Sequence, residues 1–509
     1  MKDIFAIVLI IVIASLLYAL TIRGIYGNVP GSIIKNNLDQ AGQPFELSPE
    51  RGRYAHVLAL GERGTYELGP QLAEVVYPDV GYYNGKFYSF FAPGISYLAM
   101  PFYRLGRPYN LAQVSTFAFV SVVSVLALVV LFKIAREILG LSLAASLLAV
   151  LIFAFGSPAW SYAITLYQHH VTVFLILSSF YAVWRYKQRG ASSWAWGFWV
   201  WLAYGVAIAI DYPNALLMLP VMVYFLLASL SIRRTPTKIA VSLRPAIIVT
   251  SLAFIVVTGL HFEHNAYFFG KWSNLSSTLV GYKTIKEKQL MNEPNFASTV
   301  QNLQEKKSVA IFFTEEALPF GFYTLTFSPD RGLFLYAPIF LLALAGMYSM
   351  RKSLNLEYSI LLTLVGVNFL LYSSWGDPWG GWAYGPRYLI PSMAILPLFI
   401  AVWFSSWRHT IWEKLGVFAL FLYSSAVGLL GALTTNAVPP KIEGDYLHIK
   451  FNFFRNLDFL FDNHSGSFMY NTFFSHSLSL TNYFFIIYSF IVFFAIMIIF
   501  VFPLINHES

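Results

Sequence analysis

The polar side chains best suited to chemistry lie in a few short segments of the chain. Asp79 stands among tyrosines, and a carboxylate against such an apolar wall can act as a general base. Arg331 and Arg387 each adjoin a Pro- or Gly-containing turn, where a planar guanidinium can bind two oxygens of a phosphate group. Further residues that could line a substrate pocket are Tyr82, Tyr83, Tyr88, His169, His170, Asp211, Trp379, Trp382 and Tyr384.

Each of these residues also has a purely structural interpretation. Asp79 could form a solvated turn, and Asp211 could cap the following helix, which we favour for Asp211. The arginines could contact ordinary lipid phosphates, although the short Gly- and Trp-rich loop before Arg387 favours a specific site there. The tryptophans and tyrosines could anchor the chain at the membrane surface.

The adjacent histidines do not form a metal-binding pattern. Neighbouring residues on a helix project about 100° apart, so at most one of His169 and His170 faces a cleft. A metal site prefers histidines at i and i+4 with a third ligand, and the remaining external histidines show no such spacing. We therefore expect hydrogen-bonded structural histidines, no metal ion and no cofactor.

The elements that position these residues follow from the composition. Of 509 residues, 57% are hydrophobic and only 11% are charged, whereas a soluble globular protein carries about 25% charged residues. A soluble enzyme is therefore excluded. The chain has no cysteine, which excludes disulfides, thiolate nucleophiles and cysteine-ligated metals. Its formal charge of +8 fits basic residues at cytoplasmic helix ends better than a nucleic-acid partner.

Apolar runs near 20 residues recur along the whole chain, and each can cross a bilayer as a helix. They predict an all-α polytopic membrane protein with about 12 transmembrane helices. The predicted spans are 4–22, 111–132, 141–158, 165–184, 193–210, 214–231, 245–262, 332–350, 357–374, 388–406, 415–434 and 482–503.

The short loops predict which side each end of a helix faces. Lysine and arginine collect after the second, fourth, sixth, eighth and tenth spans, whereas the alternate short connections hold only Arg387. Positive residues favour the cytoplasm, so both termini are expected there. The long segments 23–110, 263–331 and 435–481 and the short loop 375–387 then lie outside. The semi-apolar stretch Phe87–Tyr103 is broken by prolines, and we expect an interfacial or re-entrant element there.

No sequence suited to a nucleotide phosphate is evident. The chain has neither a P-loop nor a glycine-rich dinucleotide fingerprint after a strand. A group-transfer enzyme of this composition would therefore take its activated group from a lipid phosphate in the bilayer.

Four motifs together resemble the GT-C glycosyltransferase superfamily. Asp79–Gly94, Asp211–Pro213, Ser328–Pro338 and Gly380–Arg387 occur in the same order in a large prokaryotic group of these proteins. That group is similar to dolichyl-phosphate-mannose protein mannosyltransferases and to bacterial lipid A aminoarabinose transferases. The chain departs from the group at Phe90-Phe91, where relatives often carry Asp-Lys, and from protein mannosyltransferases in lacking an Asp-Glu pair after the first helix.

The resemblance implies a membrane glycosyltransferase with a large first external loop. Residues 1–434 would form the catalytic region, and 435–509 an external loop and the last helix. The donor would be a polyprenyl-phosphate-linked hexose or pentose, the acceptor a lipid or glycan hydroxyl, and the site the outer face of the cell membrane. Asp79 would be the catalytic base, with Glu50 or Glu62 as substitutes. A multi-pass transporter or lipid flippase is the alternative, and a non-catalytic scaffold is the third possibility.

Overall fold

The structure is a computed structural model that describes residues 1–28, 45–189, 194–234, 239–281, 313, 317–351, 355–406 and 409–502. It is mostly helical, but a three-stranded and a two-stranded antiparallel sheet depart from the predicted all-α class. Its longer helices are Lys2–Thr21, Ser48–Arg63, Gly94–Gly106, Ala112–Lys133, Leu143–Phe155, His169–Arg189, Trp194–Ile210, Leu219–Ser229, Leu252–Phe269, Ala317–Thr326, Leu341–Met350, Leu356–Ser373, Ile390–Ser406, Ile411–Leu433 and Leu480–Ile496. Shorter helices are Pro70–Val76, Ala159–Ala163, Asn214–Leu217, Ala246–Thr250, Leu333–Tyr336, Lys441–Leu447 and Phe454–Phe461.

A helix lies at each of the twelve positions where the sequence predicts a span. Within the described ranges, seven helices are long and apolar enough to cross a membrane. Four more are apolar but shorter, and they coincide with the predicted spans 141–158, 193–210, 214–231 and 332–350. Some of these helices are shorter than the predicted spans because the helix is interrupted. The span predicted at 332–350, for example, is divided at Ala337 into separate helical pieces. The number of membrane crossings thus stays a prediction.

Residues 45–110 form a small framework of helices and a hairpin between the first helix, Lys2–Thr21, and the helix Ala112–Lys133 in the chain. Strands Val80–Tyr83 and Lys86–Ser89 form an antiparallel hairpin whose turn, Asn84-Gly85, has positive φ at both positions. Val280–Gly281 pairs with the first strand as a third member of the sheet. The helix Gly94–Gly106 covers about 20 Å with its 13 residues, which is too short to span the bilayer. Residues 282–312 of the predicted loop 263–331 lie outside the described part.

The centre of the bundle is formed by helices that are buried on every side. All residues of Leu143–Phe155 after the first are buried, and Ile390–Ser406 packs directly on this helix. Such a helix is apolar on every side, so its sequence predicts its length but not which side contacts a given neighbour. His169–Arg189 packs between Ala112–Lys133 and Trp194–Ile210. These packed helices fix the positions of the segments that precede and follow them.

Candidate active site

A cavity of about 470 Å³ lies where the framework formed by residues 45–110 meets the helix ends. Its volume is in the range of small-molecule sites. Four residues predicted from the sequence, Asp79, His169, Asp211 and Arg387, line it together. They come from the hairpin framework, the start of one helix, the end of the next and the loop before Ile390–Ser406. The structure therefore brings together residues that are up to 308 positions apart in the chain, from Asp79 to Arg387.

Asp79 is held at the rim of the cavity by its backbone. Its amide donates to the carbonyl of Val76 at 3.2 Å, and its carbonyl accepts from the amide of Phe90 at 2.9 Å. The hydroxyl of Ser48 donates to the Oδ2 atom of the carboxylate. The side chain is half-buried, between the hairpin and the start of helix Ser48–Arg63. Its carboxylate is thus fixed in place and reachable from the cavity.

Arg387 supplies a half-buried cation. Its Nη2 donates to the carbonyl of Gly380 at 2.6 Å, and the guanidinium carbon lies 5.7 Å and 5.5 Å from the ring centres of Tyr167 and Tyr388. Its Nε and Nη1 are buried, and no acceptor in the described part of the chain hydrogen-bonds to them. Buried N–H groups normally have acceptors, so this guanidinium is suited to an anionic ligand.

Arg53 is a second cation in the cavity, and sequence reasoning missed it. The side chain is 2% exposed, its Nη1 donates to the carbonyl of Pro49 at 3.0 Å, and its guanidinium lies 4.8 Å from the ring centre of Phe91. Burial lowers the pKa of Arg53 to about 10, and the facing Asp211 opposes that shift. Helix Ser48–Arg63 carries several arginines, and nothing in their spacing distinguishes the one that faces a cavity.

Asp211 turns into the cavity instead of capping a helix. The next helix, Asn214–Leu217, begins after Pro213 without any side-chain cap. The Oδ2 atom of Asp211 accepts a hydrogen bond from Nε2 of Gln168 at 3.0 Å. Burial raises the pKa of the Asp211 carboxyl, and the charge of Arg53 works against that rise. The favoured capping role is therefore wrong for this residue.

The remaining wall of the cavity is aromatic on one side and apolar at its opening. The aromatic lining includes Phe90, Phe91, Tyr167, Tyr212, Tyr372, Trp375 and Tyr388. Leu216 and Phe313 line both this cavity and a neighbouring groove of about 620 Å³. The groove runs along helices Leu219–Ser229 and Leu356–Ser373, and its other lining residues are apolar apart from Thr363 and Ser374. The cavity that holds the charged side chains thus adjoins an apolar groove.

Arg331, predicted as a phosphate ligand, does not line this cavity. It is 0% exposed, and its guanidinium donates to four backbone carbonyls, those of Trp379, Asp330, Gly381 and Val438, at 2.9–3.1 Å. These bonds use the groups that a phosphate would need. The geometry instead favours a structural role, in which Arg331 ties the 375–387 loop to residues after the helix Ile411–Leu433. The segment beyond 434 is therefore in direct contact with the framework of the site.

The other predicted pocket residues also lie elsewhere. Trp379 and Trp382 donate through their indole nitrogens to Asp330 and Glu443, at 3.3 Å and 2.5 Å. The buried Tyr384 donates to the carbonyl of Val427 at 2.6 Å.

His170 is buried, with Nε2 2.8 Å from the carbonyl of Ala159, as expected of a structural histidine. Tyr82 packs on Phe87, Tyr88 is buried against Phe269, and Tyr83 is exposed. None of the three tyrosines lines the cavity.

The two substitute carboxylates differ in their relation to the site. Glu62 pairs with Arg107 at 2.6 Å on the surface and does not line the cavity. Glu50 is 0% exposed and accepts hydrogen bonds from the amides of Glu46 and Leu47 and from the hydroxyl of Thr165. Burial and the neighbouring Glu46 raise the pKa of Glu50 to about 7. Its three donors leave it poorly suited to approach a substrate.

Metal ligation has no support in the described residues, where no group of three or more His, Asp or Glu side chains is arranged to hold an ion. The cavity presents two carboxylates, Asp79 and Asp211, two guanidinium groups and a wall of aromatic rings. This combination suits anion binding together with removal of a proton.

Comparisons with known proteins bear on this arrangement. Residues 92–266 match the family model described as dolichyl-phosphate-mannose-protein mannosyltransferase. The crystal structure of ArnT from Cupriavidus metallidurans in the apo state is similar, with a TM-score of 0.51 at 14% identity over 98% of this chain and 77% of ArnT. ArnT bound to undecaprenyl phosphate gives 0.51 at 14% identity, over 97% and 76%.

A weaker likeness is to the archaeal oligosaccharyltransferase AglB from Archaeoglobus fulgidus, in complex with an inhibitory peptide and a dolichol-phosphate. Its TM-score is 0.44 at 14% identity, over 87% of this chain and 57% of AglB. The comparison with curated proteins finds no match. The family match and the shared fold with ArnT confirm the resemblance to GT-C membrane glycosyltransferases that the sequence motifs predict.

Proposed function

We propose that this GT-C-like membrane protein transfers a hexose or pentose from a polyprenyl-phosphate donor to an acceptor hydroxyl, with inversion at the anomeric carbon. The acceptor is a lipid or a glycan, and the reaction takes place at the outer face of the cell membrane. Both termini lie in the cytoplasm in this proposal, because the basic loops mark that side.

The observation that carries the proposal is that a chamber lined by two arginines adjoins an apolar groove. Arg53 and Arg387 line the chamber, and Leu216 and Phe313 line both chamber and groove. A polyprenyl phosphate has the matching chemistry, an anion joined to a long apolar tail. A nucleotide sugar carries no tail and would leave the groove without an occupant.

The proposed reaction assigns each charged group a step. The acceptor oxygen attacks the anomeric carbon while its proton passes to the carboxylate of Asp79. The bond between that carbon and the phosphate oxygen breaks, and the electron pair leaves with the phosphate. Arg387, assisted by Arg53, stabilises the negative charge that grows on the phosphate. The aromatic wall limits access of water, which would otherwise take the sugar.

The comparisons support the donor class without naming the sugar. ArnT, which shares the fold, has been crystallised with undecaprenyl phosphate, and the matching family is described by a dolichyl-phosphate-linked mannose. The transporter alternative has no comparable observation in its favour, since the charged groups gather in one chamber among the helix ends and the external framework.

The direct test uses the purified protein in lipid nanodiscs. Polyprenyl-phosphate mannose, glucose and arabinose are supplied together with total membrane lipids and glycans as acceptors, and release of polyprenyl phosphate is followed by mass spectrometry. The proposal expects release coupled to a glycosylated product, and no turnover with the corresponding nucleotide sugars. Turnover of a nucleotide sugar, or uptake of substrate without bond cleavage, would contradict it.

A further inference from the structure

The carboxylate of Asp211 is not needed to form the local backbone turn. Its amide continues helix Trp194–Ile210 by donating to the carbonyl of Ala207 at 3.1 Å, and its carbonyl accepts from the amide of Asn214 at 3.0 Å. The backbone therefore makes the turn without help from the carboxylate, and the following helix has no side-chain cap. The turn therefore does not account for this half-buried carboxylate, which is hydrogen-bonded by Gln168 and offset electrostatically by Arg53.

One oxygen of this carboxylate is fixed and the other is open to the cavity. Gln168 donates to Oδ2 at 3.0 Å, and no donor in the described ranges reaches Oδ1. Gln168 is itself a cavity residue, beside His169. The amide thus holds the carboxylate in one orientation while leaving an acceptor for a ligand.

The surrounding charges decide which kind of ligand this acceptor suits. Arg53 and Arg387 line the same cavity and both act electrostatically on Asp211. They offset its charge and would repel an ammonium group placed beside it. A neutral hydroxyl donates to the carboxylate without that repulsion. Tyr212 and Trp375 line the same cavity, and an aromatic ring is a suitable surface for the C–H face of a sugar ring.

We propose that Asp211 is a specificity-determining residue, whose carboxylate, oriented by Gln168, accepts hydrogen bonds from hydroxyl groups of the sugar to be transferred. The substrate class is then a neutral sugar that bears a free hydroxyl at the position facing Asp211. This assignment rests on the proposed function, since it places the sugar beside the two arginines that hold its phosphate.

The test compares sugars that differ by single hydroxyl groups. Polyprenyl-phosphate mannose, glucose and arabinose are assayed first, and kcat/KM is then measured for each monodeoxy analogue of the best donor. Wild-type protein is expected to discriminate against one analogue by about 10- to 100-fold, the effect of one hydrogen bond to a charged group. Asp211→Asn should accept that analogue and its parent within about threefold of each other. Asp445→Asn, an exposed aspartate outside the cavity, is the matched control and should keep the wild-type preference.

Other outcomes overturn the assignment. An equal loss of kcat/KM for the parent and every analogue in Asp211→Asn would make the residue structural. A wild-type preference for 4-amino-4-deoxyarabinose that disappears in the variant would indicate recognition of a cation. If Asp211→Asn does not fold, Gln168→Leu replaces it, and an unchanged preference in that variant contradicts the assignment. Failure of wild-type protein to transfer any lipid-linked sugar refutes the proposed function itself, which distinguishes the two proposals.

Discussion

Replacement of Arg387 by lysine probes the proposed phosphate site without removing its charge. Lysine retains a cation but loses the planar fork that binds two oxygens at once. The bond from Nη2 to Gly380 forms without the donor, and we take it to persist in the complex, so that its loss largely cancels from the change in binding free energy. What remains is one lost charge-assisted hydrogen bond to the phosphate, worth about 1.5–3 kcal/mol. The donor Kd should therefore rise by about 10- to 150-fold.

The assay measures donor affinity and turnover separately in nanodiscs. Binding of polyprenyl phosphate is followed by thermal shift over a concentration series, and kcat by product formation at saturating donor. Arg107→Lys is the matched control, because Arg107 pairs with Glu62 on the surface and does not line the cavity. A donor Kd within about twofold of wild type in Arg387→Lys would refute phosphate binding by this residue and leave it as a headgroup anchor.

Arg331→Met should lower the free energy of unfolding by at least about 3 kcal/mol, because four backbone carbonyls lose their hydrogen-bond donor. The affinity of the folded fraction for the lipid-linked sugar should stay unchanged. Reduced affinity at normal stability would contradict this prediction. The pKa of Glu50, raised from 4.5 to about 7, implies stability that is fully present below pH 4.5 and lost as pH rises through 7. Relative to Glu50→Gln, wild type should therefore lose about 3 kcal/mol across that window in thermal unfolding, and parallel pH profiles would exclude it. In this cysteine-free chain, Lys86→Cys should react with an impermeant thiol reagent on intact cells, and Gln188→Cys should not. Both positions are exposed, but they are predicted to lie on opposite sides of the membrane. The reverse labelling pattern would invert the topology.

The sequence predicted the helical architecture well because long apolar runs have few alternatives in a bilayer. Twelve runs gave twelve helix positions, and the interrupted stretch Phe87–Tyr103 contains a strand followed by the 13-residue helix Gly94–Gly106. Helix lengths were less predictable. Leu143–Phe155 is short because the chain turns at Gly156 to form another small helix, which composition does not reveal.

The site was predicted in part, for reasons that individual residues make clear. Asp79 and Arg387 were identified by motifs and do converge on one cavity. Arg331 had the same local signature as Arg387, a cation beside a Pro- and Gly-containing turn, and only the carbonyls around it separate the two cases. No sequence motif identified Arg53, since which arginine of an arginine-rich helix is buried depends on tertiary packing.

Single-turnover sugar transfer by Asp79→Asn decides whether Asp79 removes the acceptor proton. Asparagine is nearly isosteric and can still accept from Ser48, but it cannot take up a proton at working pH. With donor pre-bound and protein abundance matched, transfer should slow by about 10²- to 10⁴-fold, whereas the donor Kd stays within about twofold of wild type. Transfer at a near-wild-type rate would remove Asp79 from the mechanism and contradict the account.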